Sequence, residues 1–201
     1  TYPLPEAQMD RFMFKLIVKN PDLDELMNIV TMTQKTMEET ADAVCSGDDL
    51  LAMRKTANQI PVAEEVLRYA MVLCSATHPD SDCATEASKK YVRLGASPRA
   101  GQALISAAKV RALMQGRFNV SYNDLNTLAY PVLRHRIKLN FEAITERVSA
   151  DDVITMIIDE LNGKKPAKTA TAASSVTEEK TENSSEEEGA NKKTRKLFGR
   201  K

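Results

Sequence analysis

The stretch that decides the fold is GASPRAGQALISAAKVRALMQG, residues 95–116, because both ends of one long helix are marked in it. Ser97 is a residue type favoured at the N-cap, and Pro98 suits the first helical position, where a backbone N–H has no partner anyway. Gly116 suits the left-handed conformation that commonly ends a helix. We therefore predict a helix over residues 97–115.

One face of this predicted helix is apolar and includes small side chains. Its apolar positions recur at helical spacing, and they are Gly101, Leu104, Ile105, Ala108 and Ala112. Small side chains allow a neighbouring backbone to come close. We therefore expect this helix to be central to the packing of the domain.

Arg99 lies in the first turn of the predicted helix, which is an unusual position for a cation. The N-terminus of a helix is already electropositive, so a positive charge there is mildly unfavourable unless an anion also binds. Free backbone N–H groups together with an arginine fork form a typical phosphate site. Arg99 is therefore a candidate for contact with phosphate, and the alternative is an ordinary surface arginine.

Composition favours a helical domain. The 201 residues are 42% hydrophobic but only 5% aromatic, with no Trp and nine Met, which favours helices over a β-sandwich. The formal net charge is zero, but it is unevenly spread. Residues 164–201 contain ten Lys or Arg and six Asp or Glu, and the other residues contain eighteen and twenty-two. Neither part has the strongly basic balance that predicts a nucleic-acid partner.

The cysteines predict neither a disulfide framework nor a metal site. Cys45, Cys74 and Cys83 form no CxxC pair, and their number is odd. Cys74, His78 and Cys83 could be imagined as zinc ligands, but no fourth ligand is evident nearby. We expect reduced thiols in a cytoplasmic protein. The sequence has no run of about 18 apolar residues and no visible signal peptide, so we expect no stable membrane insertion.

The hydrophobic pattern divides the chain into three parts. The bulky and β-branched run from Phe12 to Val18 predicts a buried strand for which no other segment is a convincing partner. We interpret residues 1–20 as the end of a domain whose other strands lie upstream, in a chain that begins without Met. Residues 21–163 are predicted to be a helical domain. Residues 164–201 lose apolar periodicity, and their composition predicts a disordered charged tail.

Cap signals and apolar periodicity predict where the helices of residues 21–163 begin. Two of the predicted starts have a Ser followed three residues later by an Asp, which resembles a capping box. The first two helices are expected to bury apolar side chains within residues 23–30 and 50–53, and residues 78–91 are expected to be a polar connection. A proline at position 131 is expected to stop or kink its helix. The predicted starts are Asn20-Pro21, Asp48, residue 62, Ser121 and Ser149.

Arg134, His135 and Arg136 form a dense basic cluster near the end of a predicted helix. One interpretation is contact with phosphate or with a neighbouring subunit. The other is a solvent-exposed helix end, where cations interact favourably with the helix dipole. No carboxylate or nucleophile partner for His135 is visible in the sequence, so the pattern does not predict acid–base catalysis.

Three segments together resemble the lid region of the MoxR-type AAA+ ATPases. They are TYPLPEAQMDRF at 1–12, VRLGASPRA at 92–100 and LAYPVLRHRI at 128–137, and their order and approximate spacing also fit. The connection that precedes VRLGASPRA looks longer than is usual in the family. The resemblance covers roughly residues 1–161, and it implies a mainly α fold. In that fold a helical lid bundle follows one strand left from a truncated α/β ATPase core.

The resemblance also implies an ATPase and gives two arginines a role. Arg11, in the DRF run, would be the arginine finger that reaches the nucleotide of the adjacent subunit. Arg99, in the GASPRA run, would be the sensor-2 residue that contacts the nucleotide of its own subunit. The resemblance further implies that the protein assembles into a hexameric ring. Members of the family act on protein partners, which commonly contain von Willebrand A-type domains. ATP and Mg²⁺ would be bound mainly upstream, because this chain has no GxxxxGK[ST] loop and should be inactive alone.

Two other classes of function remain open at this point. A non-enzymatic helical adaptor would explain the helices, the caps and the tail equally well. It would not explain an arginine in the first turn after Gly-Ala-Ser-Pro, or a lone strand preceded by DRF. DNA binding through residues 133–136 is a third hypothesis, but residues 1–163 are net acidic and no recognition helix with clustered base-reading residues is visible.

Overall fold

The computed structural model describes residue 2, residues 4–34 and residues 42–163. Within these residues the chain is mainly helical with one small sheet, so the predicted fold class is confirmed. The tail predicted over residues 164–201 lies outside the described residues. The elements are, in chain order, α1 (Glu6–Met9), α2 (Leu23–Gln34), α3 (Gly47–Asn58), α4 (Glu64–Ser75), α5 (Glu86–Tyr91), β1 (Val92–Leu94), α6 (Pro98–Met114), α7 (Tyr122–Leu133), β2 (Lys138–Leu139), α8 (Phe141–Thr145) and α9 (Ala150–Leu161).

Helix α6 lies at the centre of the fold, as its small and apolar face predicts. It packs against α3, α4 and α7, while α9 packs against α4, α5 and α7. The buried residues of α6 include Ala100, Gly101, Leu104, Ala108 and Ala112. No helix in the described ranges combines the length and the apolar character needed to cross a bilayer.

The C-terminal end of α6 has the predicted geometry. Gly116 takes a positive φ of 69°. The Gly116 N–H donates to the carbonyl of Leu113, and the Arg117 N–H donates to the carbonyl of Ala112 at 2.9 Å. These bonds satisfy carbonyls that the helix leaves open at its end. The other end differs in one detail, because the Ser97 side chain makes no capping bond.

The two predicted capping boxes are confirmed. At α7 the Asp124 carboxylate accepts the Ser121 N–H at 2.9 Å, and the Ser121 side chain accepts the Asp124 N–H. Ser149 and Asp152 make the same pair of bonds at α9. Pro131 was expected to stop or kink α7, and it does not stop the helix, since α7 continues to Leu133. A proline near the end of a helix costs little, because few backbone bonds lie beyond it.

Helix α2 begins later than predicted and buries nothing. Its cap is Asp22 and not Asn20, because the Asp22 carboxylate accepts the Glu25 N–H at 2.8 Å and Glu25 accepts the Asp22 N–H at 3.1 Å. No residue of α2 is buried. The apolar stripe of residues 23–30 thus predicted the helix correctly, but the described residues do not cover it.

Helix α3 also differs from its prediction in its start, which is earlier than predicted, and in which residues it buries. Ser46, and not Asp48, is its N-cap, and Ser46 forms a capping box with Asp49. Leu50, Leu51 and Met53 were expected to be buried, but each is more than half exposed. The helix instead turns Ala57 inward.

Residues 12–18 differ from the predicted strand. The structure has neither helix nor strand between residues 14 and 22, and the side chains of Leu16, Ile17 and Val18 are largely exposed. The Lys15 N–H donates to the carbonyl of Pro131 at 2.9 Å, so this segment lies along the end of α7. A bulky, β-branched pattern suits a strand, but a strand also requires a neighbouring strand, and none of the described residues forms one beside this segment.

Residues 78–91 are not only a polar connection. They end in α5, whose N-terminus is held by α9, because the Glu160 carboxylate accepts the N–H groups of Glu86 and Ala87 at 2.8 and 3.1 Å. β1 follows immediately and pairs antiparallel with β2, with Val92 opposite Leu139. The sequence pattern missed both strands, because three residues and two residues are too short to show alternation.

Candidate functional site

The N-terminus of α6 lies against the residues that follow α1, and Asp10 is the residue that joins them. The Ser97 hydroxyl donates to the Asp10 carboxylate, with 2.9 Å to each carboxylate oxygen. The Arg99 Nη1 donates to Asp10 Oδ2 at 3.2 Å. An acid from a distant part of the chain therefore lies where the helix dipole and Arg99 both favour an anion. This explains why the Ser97 side chain does not cap its own helix.

Arg136 is the second cation on Asp10, and it is buried. Its side chain is 2% exposed, and its Nε lies 3.3 Å from Asp10 Oδ1. The guanidinium also donates to the backbone carbonyls of Asp10, Phe12 and Met13 at 3.1, 2.7 and 3.2 Å. A further bond goes to the carbonyl of Val132 in α7. Arg136 therefore fastens the backbone of residues 10–13 to the end of α7.

The other two residues of the basic cluster hold the same segment. His135 is buried, with its Nε2 2.9 Å from the carbonyl oxygen of Phe12. A carbonyl can only accept, so Nε2 carries the proton and donates. Arg134 pairs with Asp151 through two nitrogens, at 3.0 and 2.9 Å, and donates to the carbonyl of Lys15. The interpretation of residues 134–136 as an exposed helix end is therefore wrong, because they anchor an extended segment of the same chain.

Asp10 is ionised in this setting. Burial alone would raise the pKa of its carboxyl, but hydrogen bonds from Ser97 and Arg99 and the charges of Arg136 and Arg99 hold the pKa below its ordinary value. The carboxylate thus has two cations within ion-pair distance, Arg136 on the buried side and Arg99 on the exposed side. The cluster carries one positive charge in excess.

Arg99 and Arg11, the two residues singled out in the sequence, lie on either side of this cluster. The Arg99 side chain is 57% exposed, and the described residues engage only its Nη1. Arg11 directly follows Asp10, is exposed, and donates its backbone N–H to Gln8. Its guanidinium has no hydrogen bond or ion pair within the described part of the chain. The remaining nitrogens of Arg99 can bind a phosphate oxygen. Phosphate is a common anionic partner of the planar guanidinium group.

The imagined metal ligands do not form a site. Cys74 is buried, and burial raises the pKa of its thiol to about 12, so the free side chain is a neutral thiol. The His78 Nε2 lies 2.9 Å from the carbonyl oxygen of Ala96, and Cys83 is exposed. The described ranges contain no group of three His, Cys, Asp or Glu placed to hold a metal ion.

Sequence reasoning missed Asp10 and the role of Arg136. The sequence contains one signal for an acid near Arg99. Arg99 lies in the first turn of a helix that has no acidic residue in that turn, so an anion from elsewhere would be favourable there. Nothing local shows that the anion comes from 89 residues earlier in the chain.

Residues 84–157 match a family of AAA lid domains. The match includes Arg99 and residues 134–136, and it ends within α9. Asp10 and Arg11 lie outside it.

The relatives of the chain extend the likeness beyond that domain. The chain is 34% identical over 157 residues to Chaperone MoxR1 of Mycobacterium tuberculosis, which covers 78% of this chain and 41% of MoxR1. It is 32% identical over 161 residues to the uncharacterised protein YeaC of Bacillus subtilis, which covers 79% of this chain and 47% of YeaC. The crystal structure of a proposed ATPase from Cytophaga hutchinsonii superposes with a TM-score of 0.70 at 33% identity. The match covers 78% of this chain and 48% of that ATPase chain. The chain thus spans less than half the length of each relative.

Proposed function

Because this chain belongs to the MoxR-type AAA+ proteins and contains an AAA lid domain, we propose that it senses ATP for a ring-shaped ATPase. In this proposal residues 1–20 end the ATPase core, residues 21–163 form the lid, and residues 164–201 are a charged tail. The lid couples the binding and hydrolysis of ATP to the remodelling or maturation of protein partners.

The observation that carries the proposal is the exposed guanidinium of Arg99 at the start of α6. Its side chain is 57% exposed although one nitrogen is bonded to Asp10. The nitrogens that remain can donate to a phosphate oxygen at a helix end that already favours negative charge. Arg99 then contacts the nucleotide of its own subunit. Arg99 lies on the lid helix that packs against α3, α4 and α7. The contact between Arg99 and the nucleotide therefore affects the packing of the lid.

Arg11 has the complementary role across a subunit boundary. It is exposed, and Arg136 fixes the carbonyls of Asp10 and Phe12 on either side of it. A guanidinium on a fixed backbone can neutralise the charge that grows on a γ-phosphate during transfer. This division between Arg99 and Arg11 requires a closed ring, which we propose is a hexamer.

The nucleotide and the metal are bound mainly by residues that are not in this chain. The phosphate-gripping loop GxxxxGK[ST] is absent from the 201 residues, so the chain alone binds ATP weakly and does not hydrolyse it. When bound, Mg²⁺ supplies positive charge to the β- and γ-phosphates. MoxR1 is named a chaperone, which supports protein partners. We extend this to partners with von Willebrand A-type domains and to a cytoplasmic location.

Replacing Arg99 in the whole protein tests the proposal. Arg99→Ala should weaken the affinity for ATP by about 10–100-fold, because a charge-assisted bond to phosphate contributes roughly 1.5–3 kcal/mol. The thermal midpoint should stay close to the wild-type value, since Arg99 lies on the exposed side of α6 and its removal leaves no core cavity. Affinity is measured by calorimetry and turnover by steady-state phosphate release.

Arg93→Ala is the matched control. Arg93 is 66% exposed and pairs with Glu6 at 3.4 Å, so the variant loses the same charge close to the same segment. It should bind and hydrolyse ATP as the wild type does. If Arg99→Ala also kept wild-type affinity and turnover, the sensor role would be refuted and a non-enzymatic helical adaptor would be favoured.

A further inference from the structure

Asp10 contacts Arg99 of the proposed mechanism and also Arg136, whose Nε lies 3.3 Å from its carboxylate. Its carboxylate bonds to the side chain of Arg99, while its backbone carbonyl is bonded by Arg136. The same Arg136 nitrogen also donates to the carbonyl of Phe12, so the backbone is held on both sides of Arg11. The Asp10–Arg136 ion pair is thus in contact with Arg99 on one side and with the flanks of Arg11 on the other.

We propose that Asp10 is the positioning residue for Arg99, and that its ion pair with Arg136 holds Arg99 and Arg11 on one rigid unit. This inference rests on the proposed function and adds a residue to it. Asp10 does not touch the nucleotide. It acts by restricting the Arg99 guanidinium to an orientation in which the remaining nitrogens face outward.

The Asp10–Arg99 contact restrains Arg99 without occupying all of its donors. Only Nη1 of Arg99 is engaged, at 3.2 Å, and the side chain remains 57% exposed. A free arginine side chain loses rotamer entropy when a ligand fixes it. A carboxylate that already restrains one nitrogen reduces that loss, and it leaves other donors for the ligand.

The negative charge of Asp10 is offset by Arg136. A carboxylate beside a phosphate site would normally repel the ligand. Here Arg136 lies 3.3 Å from Asp10 with its side chain 2% exposed, so the acid has a permanent buried counter-charge. Asp10 can therefore orient Arg99 without cancelling its charge, and the cluster stays net positive toward an incoming anion.

The Ser97 hydroxyl also holds Asp10 in place. It donates to both oxygens of Asp10, although a serine at an N-cap normally accepts from its own helix. The N-cap side chain is thus used to hold Asp10 at the start of α6. Asp10 is also 18% exposed, which places it between the buried Arg136 and the exposed Arg99.

A double-mutant cycle in the whole protein tests the proposal with two measurements, ATP affinity and thermal midpoint. Asp10→Asn should weaken ATP binding about tenfold in the wild-type background and leave it unchanged in the Arg99→Ala background, since residues in one network are not additive. The fall in thermal midpoint should be the same in both backgrounds, because it comes from Arg136. A merely structural Asp10 would give additive effects on both measurements.

Four results would overturn the inference. If Asp10→Asn tightens ATP binding, Asp10 competes with phosphate for Arg99. If it weakens binding equally in both backgrounds, Asp10 acts through the general stability of the domain. If Arg99→Ala weakens binding but Asp10→Asn does not, the sensor role stands and the positioning role fails. If Arg99→Ala itself has no effect, the proposed function fails together with the inference.

A milder variant keeps the test usable if Asp10→Asn does not fold. Ser97→Ala removes the hydroxyl that holds both Asp10 oxygens and leaves both ion pairs in place. It should weaken ATP binding in the same direction but less, and only when Arg99 is present. Ser97→Thr keeps the hydroxyl and should restore the affinity. An equal loss in Ser97→Thr and Ser97→Ala would count against the proposal.

Discussion

Arg117 and Asp124 form a bidentate ion pair between the end of α6 and the first turn of α7, with nitrogen–oxygen distances of 2.9 and 2.6 Å. The Asp124 side chain has no exposed surface. The Nε of Arg111, in the last turn of α6, lies 3.2 Å from the same carboxylate. Asp124 also accepts the Ser121 N–H, so one acid joins two helices and caps the second.

We predict that Asp124→Asn destabilises the domain by about 2–3 kcal/mol. The amide keeps the shape of the side chain but removes the charge that Arg117 and Arg111 face, and it cannot accept all the bonds that the carboxylate accepts. The free energy of unfolding in urea measures the effect. A loss below about 0.5 kcal/mol would mean that the pair contributes no more than an exposed one.

The matched control is Asp49→Asn in α3. Asp49 occupies the same position of a capping box, where its carboxylate accepts the Ser46 N–H at 2.9 Å, but it is exposed and has no arginine partner among the described residues. Losing this exposed cap should destabilise the domain less than losing the buried pair does. The difference between the two variants therefore isolates the contribution of the buried ion pair.

Acid should destabilise the domain through Asp124. Burial alone would raise the pKa of this carboxyl, but the hydrogen bonds from Arg117 and Ser121 lower it from 3.8 to about 2. A lowered pKa in the folded state stabilises the fold above the unfolded value, and this contribution is lost as the pH falls from about 4 toward 2. It amounts to about 2 kcal/mol. The loss should be missing in Asp124→Asn, and an identical pH dependence in that variant would refute the assignment.

Two glycines should respond differently to alanine. A Cβ on Gly95 would lie 2.6 Å from the His78 Cγ and 2.8 Å from its backbone nitrogen, so Gly95→Ala should destabilise by about 1–3 kcal/mol. A Cβ on Gly101 would meet chiefly the end of the Met71 side chain, which can move because it is partly exposed. Alanine also suits a helix interior better by about 0.5–1 kcal/mol.

Gly101→Ala should therefore leave the thermal midpoint unchanged or slightly raised, while Gly95→Ala lowers it. The comparison is internally controlled, because the same atom is added at two neighbouring places. The opposite order would show that Met71 is held as firmly as the backbone of His78.

Arg11→Ala should retain ATP binding and lose most turnover in the whole ring. Arginine fingers in other phosphoryl-transfer enzymes contribute about 10³–10⁵ in rate. Mixing this variant with one disabled only in the phosphate loop tests whether Arg11 acts across the boundary. Verified mixed rings should recover activity, because some interfaces then pair an intact finger with an intact loop. Normal turnover by Arg11→Ala alone would discard the finger assignment.

Local signals explain why much of the helical fold could be predicted from the sequence. Ser97, Pro98 and Gly116 mark α6 within one residue at each end, and the Ser121 and Ser149 boxes mark α7 and α9. Each of these signals involves residues that are at most a few positions apart. A helix cap is satisfied by its own neighbours, so its chemistry is visible in the sequence.

The features that could not be predicted depend on contacts between distant segments. The anion beside Arg99 is Asp10, 89 residues away, and the partners of Arg136 lie more than 120 residues away. The prediction of buried residues in α3 was wrong for a related reason. Leu50 and Leu51 fit the helical periodicity, but no described residue packs over them. Periodicity reports which face of a helix is apolar and does not report what packs against it.

The bonds from Arg136 to the carbonyls of Asp10, Phe12 and Met13 involve only the main chain of that segment. Every amino acid has a carbonyl, so the side chains at positions 12 and 13 can be exchanged without removing an acceptor. The spacing of these carbonyls along the chain cannot be changed in the same way. Inserting or deleting one residue after Asp10 would shift the carbonyls away from a guanidinium that is fixed in a buried site. This joint is therefore tolerant of substitutions and intolerant of changes in length.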